Sequence, residues 1–520
     1  MIFQRTISTM SFKAWLFKDD ESRLLLKWSS VATIIAFTWL KILYPYPNFM
    51  PPDSYSYLDA AYNNEFINIW AIGYSKFLRL VSSFTDSHLA LVIIQYLLVQ
   101  ISLLYLLLTI RYLFNPAKAL FRVLFGLSVL NPLLPHIANF VSSDSLFTSL
   151  SLVWYTQLLW IIYKPTEKLL FRHSLILLLA FSTRHNALYY PLISIAVVIL
   201  RSMPGRLKAY AIGSIAILLG SFILLTGSEY NKKTSSFQYS AFGGWQQAAN
   251  ALYGYAYDQL DEPVKLPPRF RKLHQLVNET VRIHQQQPFL RPDRNVGVFY
   301  LWDFQSPLRL YMDQVWKTDS TKEFFEKWAS MAPLYGSYGT YLITRHPRSY
   351  ILNYVWPNLQ RYYAPPSQFM GWYNLGYKTV DSSAVKWFGW NNNTLPALGI
   401  KKIWVADIFT ILTPIVNIIF IAGFLAFLTL GGNQNCSHHN KKLLGCTLTI
   451  WIANTLFSVL SAPIELRYQL FPLIISIIWS VIFVGYVVQV IRAKPETTEK
   501  QAEEAQKQLV FQPQQIIEKI

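Results

Sequence analysis

The ionisable side chains best suited to chemistry stand where apolar stretches of the chain end. The segment PPDSYSYLDAAYNNEF follows the first apolar stretch, residues 28–44, and Asp53 comes shortly after that stretch. A stretch of this length crosses most of the roughly 30 Å hydrocarbon core of a membrane. A carboxylate at this position borders both water and lipid, and it can take a proton from a hydroxyl group. Asp53 is therefore the first candidate catalytic residue.

Other short segments are expected to bring ionisable groups to the same depth. Asp144 lies in VSSDSLF, Arg184 and His185 interrupt an apolar region, and SAPIELRY precedes the last apolar stretch. Charged groups at membrane depth are costly, so they are expected to pair or to act. Arginines can also stabilise a departing phosphate through forked hydrogen bonds. The candidates are Asp53 and Asp144 as catalytic carboxylates, Arg467, Arg184 and Lys76 as phosphate-binding groups, and Tyr57, Asp59, His185, Glu465 and Tyr468 as substrate-binding groups.

Each of these residues also has a structural interpretation. Asp53 and Asp144 could each cap the helix that follows. Arg467 could pair with Glu465 or extend to lipid head groups, and Arg184 could stabilise a helix turn. Lys76 could contact head groups in the same way.

The elements that position these groups are predicted to be membrane-spanning helices. Half of the 520 residues are hydrophobic and only 14% are charged, which is not typical of a soluble domain. Eight apolar stretches have nearly the length of a spanning helix. They are residues 28–44, 89–110, 119–137, 145–163, 209–226, 404–430, 443–460 and 470–491. Residues 171–200 form a further apolar region, interrupted at 182–186. It predicts two short helices, or alternatively one kinked helix, and two helices give about ten crossings.

Clusters of Lys and Arg predict the orientation of the chain. With ten crossings, every cluster falls on one side of the membrane, so both termini are predicted to be cytoplasmic. The clusters are Lys13 to Lys27, Arg111 to Arg122, Lys164 to Arg172, Arg201 to Lys208, Lys441 and Lys442, and Arg492 and Lys494. The net charge of +18 is thus explained by topology and by anionic lipids. It does not indicate a nucleic-acid groove.

The chain is predicted to fall into four parts. Residues 1–226 form a seven-helix membrane block that contains the first outer loop, 47–88. Residues 227–401 form an aromatic-rich, mainly helical extracytoplasmic domain, 402–492 a three-helix membrane block, and 493–520 a cytoplasmic tail. The aromatic side chains of the outer domain could stack on sugars, or they could build its core and a belt against the membrane.

Four of the segments together resemble a known family. The first-loop acid followed by tyrosines, then WAIGY, SSDSLF and ELRY, resemble GT-C-type membrane glycosyltransferases in content and order. More narrowly, they are similar to dolichyl-phosphate-mannose protein mannosyltransferases and their bacterial relatives that use polyprenyl-phosphate sugars. The resemblance covers residues 25–226 and the last loop. It implies that Asp53 is the catalytic base, that Asp144 belongs to the active site and that Arg467 contacts the donor phosphate. Many members have two consecutive acids in the first loop, whereas Ser54 follows Asp53 here.

These observations predict a glycosyltransferase of the bacterial inner membrane. It would move a sugar from a polyprenyl-phosphate carrier to a hydroxyl group on the extracytoplasmic side, with inversion. The expected partners are the lipid-linked donor, membrane lipids and a glycan, lipid or protein acceptor, with no nucleic acid. No cofactor is assigned and a divalent cation is left open. Cys436, His438 and His439 fit no usual zinc spacing.

Other classes of protein remain open at this point. A glycan polymerase or ligase of the O-antigen type would use arginine or histidine in the large outer loop, such as Arg345 and His346. A non-catalytic assembly protein would use the outer domain as a binding face. A transporter would need polar groups in mid-membrane, and the predicted spans carry few charges at their centres.

Overall fold

Helices make up the regular structure of this protein. The computed structural model describes residues 10–260, 266–293, 297–395 and 402–511, with side chains described as far as Arg492. Within these residues there is no β-strand, only three isolated β-bridges.

Eight described helices are long and apolar enough to cross a membrane. They are Asp20–Leu43, His88–Phe114, Lys118–Ala138 (broken near Leu130), Ser143–Tyr163, Gly205–Thr234, Trp404–Thr429, His438–Ser461 and Leu466–Arg492. Each covers one of the eight apolar stretches to within one residue at the end of that stretch, which confirms a helical, multi-pass membrane protein. Shorter helices at Phe12–Lys18, Asp53–Tyr62 and Gly73–Ser82 precede or connect the first spans.

The interrupted region 171–200 folds as two helices. Glu167–Thr183 and Tyr190–Leu200 are joined by extended Arg184, at φ −152° and ψ 143°, and by the 3-10 turn His185–Tyr189. A turn at this point brings Arg184 to the end of the pair. With the eight longer helices, the pair is compatible with ten crossings.

The membrane helices share one apolar core, with large aromatic side chains such as Trp154, Tyr155 and Trp479 fully buried in it. Three of the long helices leave most of their apolar surface outside this core. In Asp20–Leu43 and Gly205–Thr234 only 17% of the most apolar window is buried, and in Trp404–Thr429 only 28%. Their exposed Ile and Leu side chains suit contact with lipid.

The described residues between Gly205–Thr234 and Trp404–Thr429, called the outer segment here after their predicted location, build most of a second core. The helices of the outer segment are Ala241–Tyr255, Pro268–Phe270, Arg271–Gln286, Pro288–Leu290, Phe299–Trp302, Pro307–Val315, Phe324–Arg345, Pro347–Tyr350, Ile351–Val355, Trp356–Tyr363, Gln368–Gly371, Tyr373–Gly376 and Ser382–Phe388. Trp245 stacks on Trp328 with ring centroids 5.2 Å apart. Gly244 lets Ala241–Tyr255 pack closely against Phe324–Arg345, because a Cβ there would lie 2.1 Å from the carbonyl oxygen of Ala332. Many of the aromatic residues predicted from sequence thus build this core.

Two helices run across the domain limits predicted from sequence. Gly205–Thr234 continues eight residues beyond position 226. Leu470–Phe511 continues from the last span into the predicted tail. The 3-10 turn Leu466–Gln469 precedes that last helix.

Candidate functional site

A cavity of about 790 Å³ lies where the ends of the membrane helices meet the outer segment. This volume is typical of sites for small-molecule ligands. Its lining comes from the first outer loop, the start of Ser143–Tyr163, the turn at 183–188, the last loop and the outer segment. Eight of the ten candidate residues line it. They are Asp53, Tyr57, Asp144, Arg184, His185, Glu465, Arg467 and Tyr468.

Arg467 is the centre of the charged cluster in this cavity. Its Nε donates to Glu465 Oε2 at 2.8 Å, and its Nη1 donates to Asp53 Oδ2 at 3.0 Å. The same Nη1 is 3.8 Å from Asp144 Oδ2. Its Nη2 donates to the hydroxyl of Tyr468 at 2.7 Å. One guanidinium therefore ties together three carboxylates from three separate loops.

Arg184 forms the second centre of positive charge. Its Nη1 donates to Asp144 Oδ1, and its guanidinium lies 4.8 Å from the centroid of the Tyr468 ring. Asp144 is almost fully buried and also accepts a hydrogen bond from Ser142 Oγ at 2.9 Å. The turn between the two short helices thus has a specific function in the fold, because it delivers Arg184 to Asp144.

Two of the three carboxylates, Asp53 and Asp144, lie at the beginnings of helices. Asp53 is the first residue of Asp53–Tyr62, whose N-cap is Pro52, and Asp144 is the second residue of Ser143–Tyr163. Helix N-termini stabilise negative charge. The alternative predicted from sequence is that Asp53 caps the helix. Its carboxylate instead pairs with Arg467.

Main-chain hydrogen bonds join the first and second outer loops. Asn48 N donates to Asn139 O at 2.8 Å, and Val141 N donates to Asn48 O at 2.9 Å. The buried hydroxyl of Ser54 donates to Val141 O at 2.7 Å and accepts from Met50 N at 2.8 Å. Asp53 lies between Met50 and Ser54 in this junction, so its position relative to Asp144 is set by the backbone.

Two buried asparagines of the outer segment hold the last loop. Asn250 Nδ2 donates to Ser461 O at 3.0 Å. Asn358 Nδ2 donates to Ala462 O at 2.8 Å, and Asn358 Oδ1 accepts from Ile464 N at 2.9 Å. Glu465 and Arg467 come immediately afterwards, so the outer segment helps to position both.

Tyr57 and His185 also line the cavity. The hydroxyl of Tyr57 is 3.1 Å from Ser143 Oγ. The ring of His185 lies against Phe242 and Tyr239, with centroid distances of 6.3 and 5.8 Å. His185 therefore belongs to an aromatic wall of the cavity, next to Arg184 in the chain.

Two predicted site residues lie away from the cavity. The Nζ of Lys76 donates to Asn64 Oδ1 at 2.9 Å and lies 4.5 Å above the Phe66 ring. Asp59 is on the far face of the first-loop helix, where burial, Asp381 and then Lys386 act on it, and the net effect raises its pKa. Neither lines the cavity. The phosphate-binding role of Lys76 and the substrate-binding role of Asp59 therefore stay predictions and are not part of the charged cluster.

Carboxylates outnumber guanidinium groups in the charged cluster. Three carboxylates face two guanidiniums, so one negative charge is in excess when all are ionised. Burial raises the pKa of Asp53, although Arg467 opposes the shift. Burial also raises the pKa of Glu465, again against Arg467. A raised pKa brings a carboxylate closer to the operating pH of a general base.

Aromatic side chains form the wall contributed by the first loop and the outer segment. The ring of Trp70 lies 5.0 Å from that of Phe242 and 5.5 Å from that of Trp302. Trp302, Asn250 and Gln246 also line the cavity, and the sequence analysis did not identify them. No local pattern marks them, because their role depends on how the outer segment packs onto the membrane helices.

A metal centre is not formed by the described side chains. Within the described ranges, no group of three or more His, Cys, Asp or Glu residues is arranged to hold a metal ion. At the cavity, Arg467 occupies the position between the three carboxylates that a cation would take.

Comparison with known proteins returned no matching family model, no matching curated protein and no matching solved structure. Function is therefore inferred from the site itself.

Proposed function

We propose that this protein is a membrane glycosyltransferase that moves a sugar from a polyprenyl-phosphate carrier to a hydroxyl acceptor. The observation that carries the proposal is the contact between Asp53 and Arg467. They are 414 positions apart in the chain, yet their side chains lie 3.0 Å apart in a cavity of about 790 Å³. A base beside a phosphate-binding group is what displacement of a phosphate from a sugar requires.

In the proposed reaction, Arg467 and Arg184 bind the donor phosphate through their guanidinium forks. The incoming phosphate competes with Asp53 for Nη1 of Arg467 and thereby releases the carboxylate. Asp53 then takes the proton of the acceptor hydroxyl. The hydroxyl oxygen forms a bond to the anomeric carbon as the bond from that carbon to the phosphate oxygen breaks. The phosphate leaves with the bonding electron pair, and a single displacement inverts the anomeric centre.

The chemical character of the cavity supports a lipid-linked sugar. The charged cluster can bind a phosphate, and the aromatic wall of Trp70, Phe242 and Trp302 offers flat apolar faces to a sugar or to the carrier. Transfer would take place on the extracytoplasmic side of a bacterial inner membrane, with both termini cytoplasmic. The family that the proposal points to is the GT-C glycosyltransferases.

A polymerase or ligase that uses the large outer loop is less well supported. The residue it would need, His346, has its Nδ1 3.0 Å from Asp258 Oδ2 and its ring against Tyr255. Neither Arg345 nor His346 lines the cavity. The first-loop acid therefore remains the better candidate for the base.

The proposal is tested with purified protein and a panel of radiolabelled polyprenyl-phosphate sugars. Loss of a general base slows a reaction by about 10²- to 10⁴-fold. We expect Asp53→Asn to lose transfer by this factor while keeping the wild-type elution profile in detergent. Asp59→Asn is the matched control, because it makes the same change on the same helix outside the cavity. Wild-type turnover by Asp53→Asn would remove Asp53 from the mechanism.

A further inference from the structure

A third arginine lies behind the charged cluster and has no role in the reaction proposed above. Arg361, in the helix Trp356–Tyr363, is only 8% exposed. Its Nε and Nη2 are shielded from solvent and form no hydrogen bond with any described group. An unpaired buried guanidinium is costly, so a nearby negative charge is expected to compensate it.

The backbone brings Arg361 alongside Glu465. Asn358 and Pro366 lie on either side of Arg361 in the chain, and they bind the two neighbours of Glu465. Asn358 Oδ1 accepts from Ile464 N at 2.9 Å, and Pro366 O accepts from Leu466 N at 3.0 Å. The two segments thus run side by side with Arg361 and Glu465 between the same pair of hydrogen bonds.

The other charged and titratable groups near this pair come from several elements. Glu465 faces Arg467, Asp53, Asp144 and Tyr468. Arg361 faces Glu465 first, and then Tyr354, Asp293 and Tyr468. Among the groups that act on Arg361, Glu465 is the carboxylate that lines the cavity.

The excess of negative charge at the cavity suggests a function for Arg361. Three carboxylates and two guanidiniums at the cavity leave an excess negative charge, which opposes entry of a phosphate. A third guanidinium near Glu465 offsets part of this excess, although Asp293 also acts on Arg361. It also keeps Glu465 ionised, and ionised Glu465 holds Nε of Arg467 by a charge-assisted hydrogen bond.

We propose that Arg361 is a positioning residue that acts through Glu465. It keeps Glu465 in the charged form, so that Arg467 stays oriented towards the donor phosphate and Asp53. The inference rests on the proposed function for its consequence in catalysis, but the coupling of Arg361 to Glu465 can be measured without it.

The first readout is the protonation of Glu465. The C=O stretch of its carboxylic acid is followed by infrared difference spectroscopy during a pH titration of the full chain, and it is assigned by its loss in Glu465→Gln. Without the charge of Arg361, we expect the band to appear at a pH about one unit higher. Arg361→Met and Arg361→Gln both remove the charge, so misfolding of one leaves the comparison intact. Arg361→Lys should titrate close to wild type.

The second readout is the pH profile of sugar transfer. The acid limb should move to higher pH by the same amount in the neutral variants, and Arg361→Lys should restore it. Asp293→Asn is a matched control, because it removes the other carboxylate near Arg361 and should leave the limb unchanged.

An unchanged Glu465 band in both neutral variants would overturn the role of Arg361. If the band shifts but even the wild-type protein transfers no sugar from any donor, the coupling stands and the proposed function fails. The two failures are therefore distinguishable.

Discussion

The guanidinium of Arg467 contacts all three carboxylates of the site. It donates to Asp53, Glu465 and Tyr468 and is almost fully buried. Breaking a buried charge network by removing one partner typically costs about 3–5 kcal/mol, because the other charges are left uncompensated. The same side chain is proposed to hold the donor phosphate. Stability and donor binding therefore depend on one residue.

We expect Arg467→Ala to reduce both the stability of the protein and its binding of the donor. Arg467→Lys should recover stability better than donor binding. Lysine keeps the charge but lacks the planar fork that binds two oxygens. Unfolding temperature and the separate KM values for donor and acceptor would be measured. Arg122→Ala is the matched control, since the Arg122 side chain is largely exposed and Lys118 remains as a second partner of Glu21; we expect a loss of at most about 1 kcal/mol. Equal effects of Arg467→Lys on the two KM values would contradict the assignment.

The raised pKa of Asp53 predicts opposite effects of pH on stability and on activity. A carboxyl whose pKa is higher in the folded than in the unfolded protein binds more protons when folded. Its stabilising contribution is complete below the ordinary pKa of 3.8 and is lost as pH rises through the raised value. Activity should increase over the same interval, because the base must be unprotonated.

Asp53→Asn checks this prediction. The variant should lose the part of the pH dependence of unfolding that Asp53 contributes, measured as unfolding temperature from acid to neutral pH. Glu465 contributes a similar dependence that remains in Asp53→Asn. Asp59→Asn serves as the control for an exposed carboxyl with a raised pKa. A pH dependence identical to wild type would show that Asp53 has an ordinary pKa.

At the level of elements, the junction between the first two outer loops determines how far apart Asp53 and Asp144 lie. The Ser54 hydroxyl completes that junction and is fully buried. Ser54→Ala would leave Val141 O unpaired, at a cost of about 1–3 kcal/mol. We expect lower stability and lower kcat, because Asp53 would no longer be fixed opposite Arg467.

Ser56→Ala is the matched control for Ser54→Ala. Ser56 lies on the same helix, and its hydroxyl donates to Asn68 Oδ1 at 3.2 Å within the first loop. It should change stability by less and leave kcat near wild type. Equal losses of kcat in both variants would mean that the junction does not position the site.

The sequence predicted elements better than it predicted contacts between them. The long helices follow from hydropathy, which is a local property, and so does the break near Arg184. Which face of the first-loop helix turns inward depends on its partners, so Asp59 could not be separated from Asp53 by position alone. Asn250, Asn358 and Arg361 act through packing of the outer segment on the last loop, and nothing near them in the sequence indicates it.

At the scale of the whole molecule, the two short helices explain the depth of the site. Glu167–Thr183 has 17 residues and spans about 25 Å, which is less than the roughly 30 Å hydrocarbon core. If it starts at one face of the membrane, Arg184 lies just inside the other. The cavity would then open where a lipid-borne phosphate can meet an acceptor from water.

This arrangement requires that residues near 167 and near 202 lie on the same side of the membrane. Single cysteines at Glu167 and Ser202, which are both exposed, would be labelled with a membrane-impermeant thiol reagent in a background where buried Cys436 and Cys446 are serine. Ser320→Cys in the outer segment is the control for the opposite side. We expect Ser320→Cys to react in intact cells, and the other two only after permeabilisation, because their neighbouring Lys and Arg residues favour the cytoplasm. Labelling of Ser202→Cys but not Glu167→Cys in intact cells would mean that residues 167–200 cross the membrane only once. Arg184 would then lie within the bilayer, and the cavity could not receive its acceptor from the outer solution.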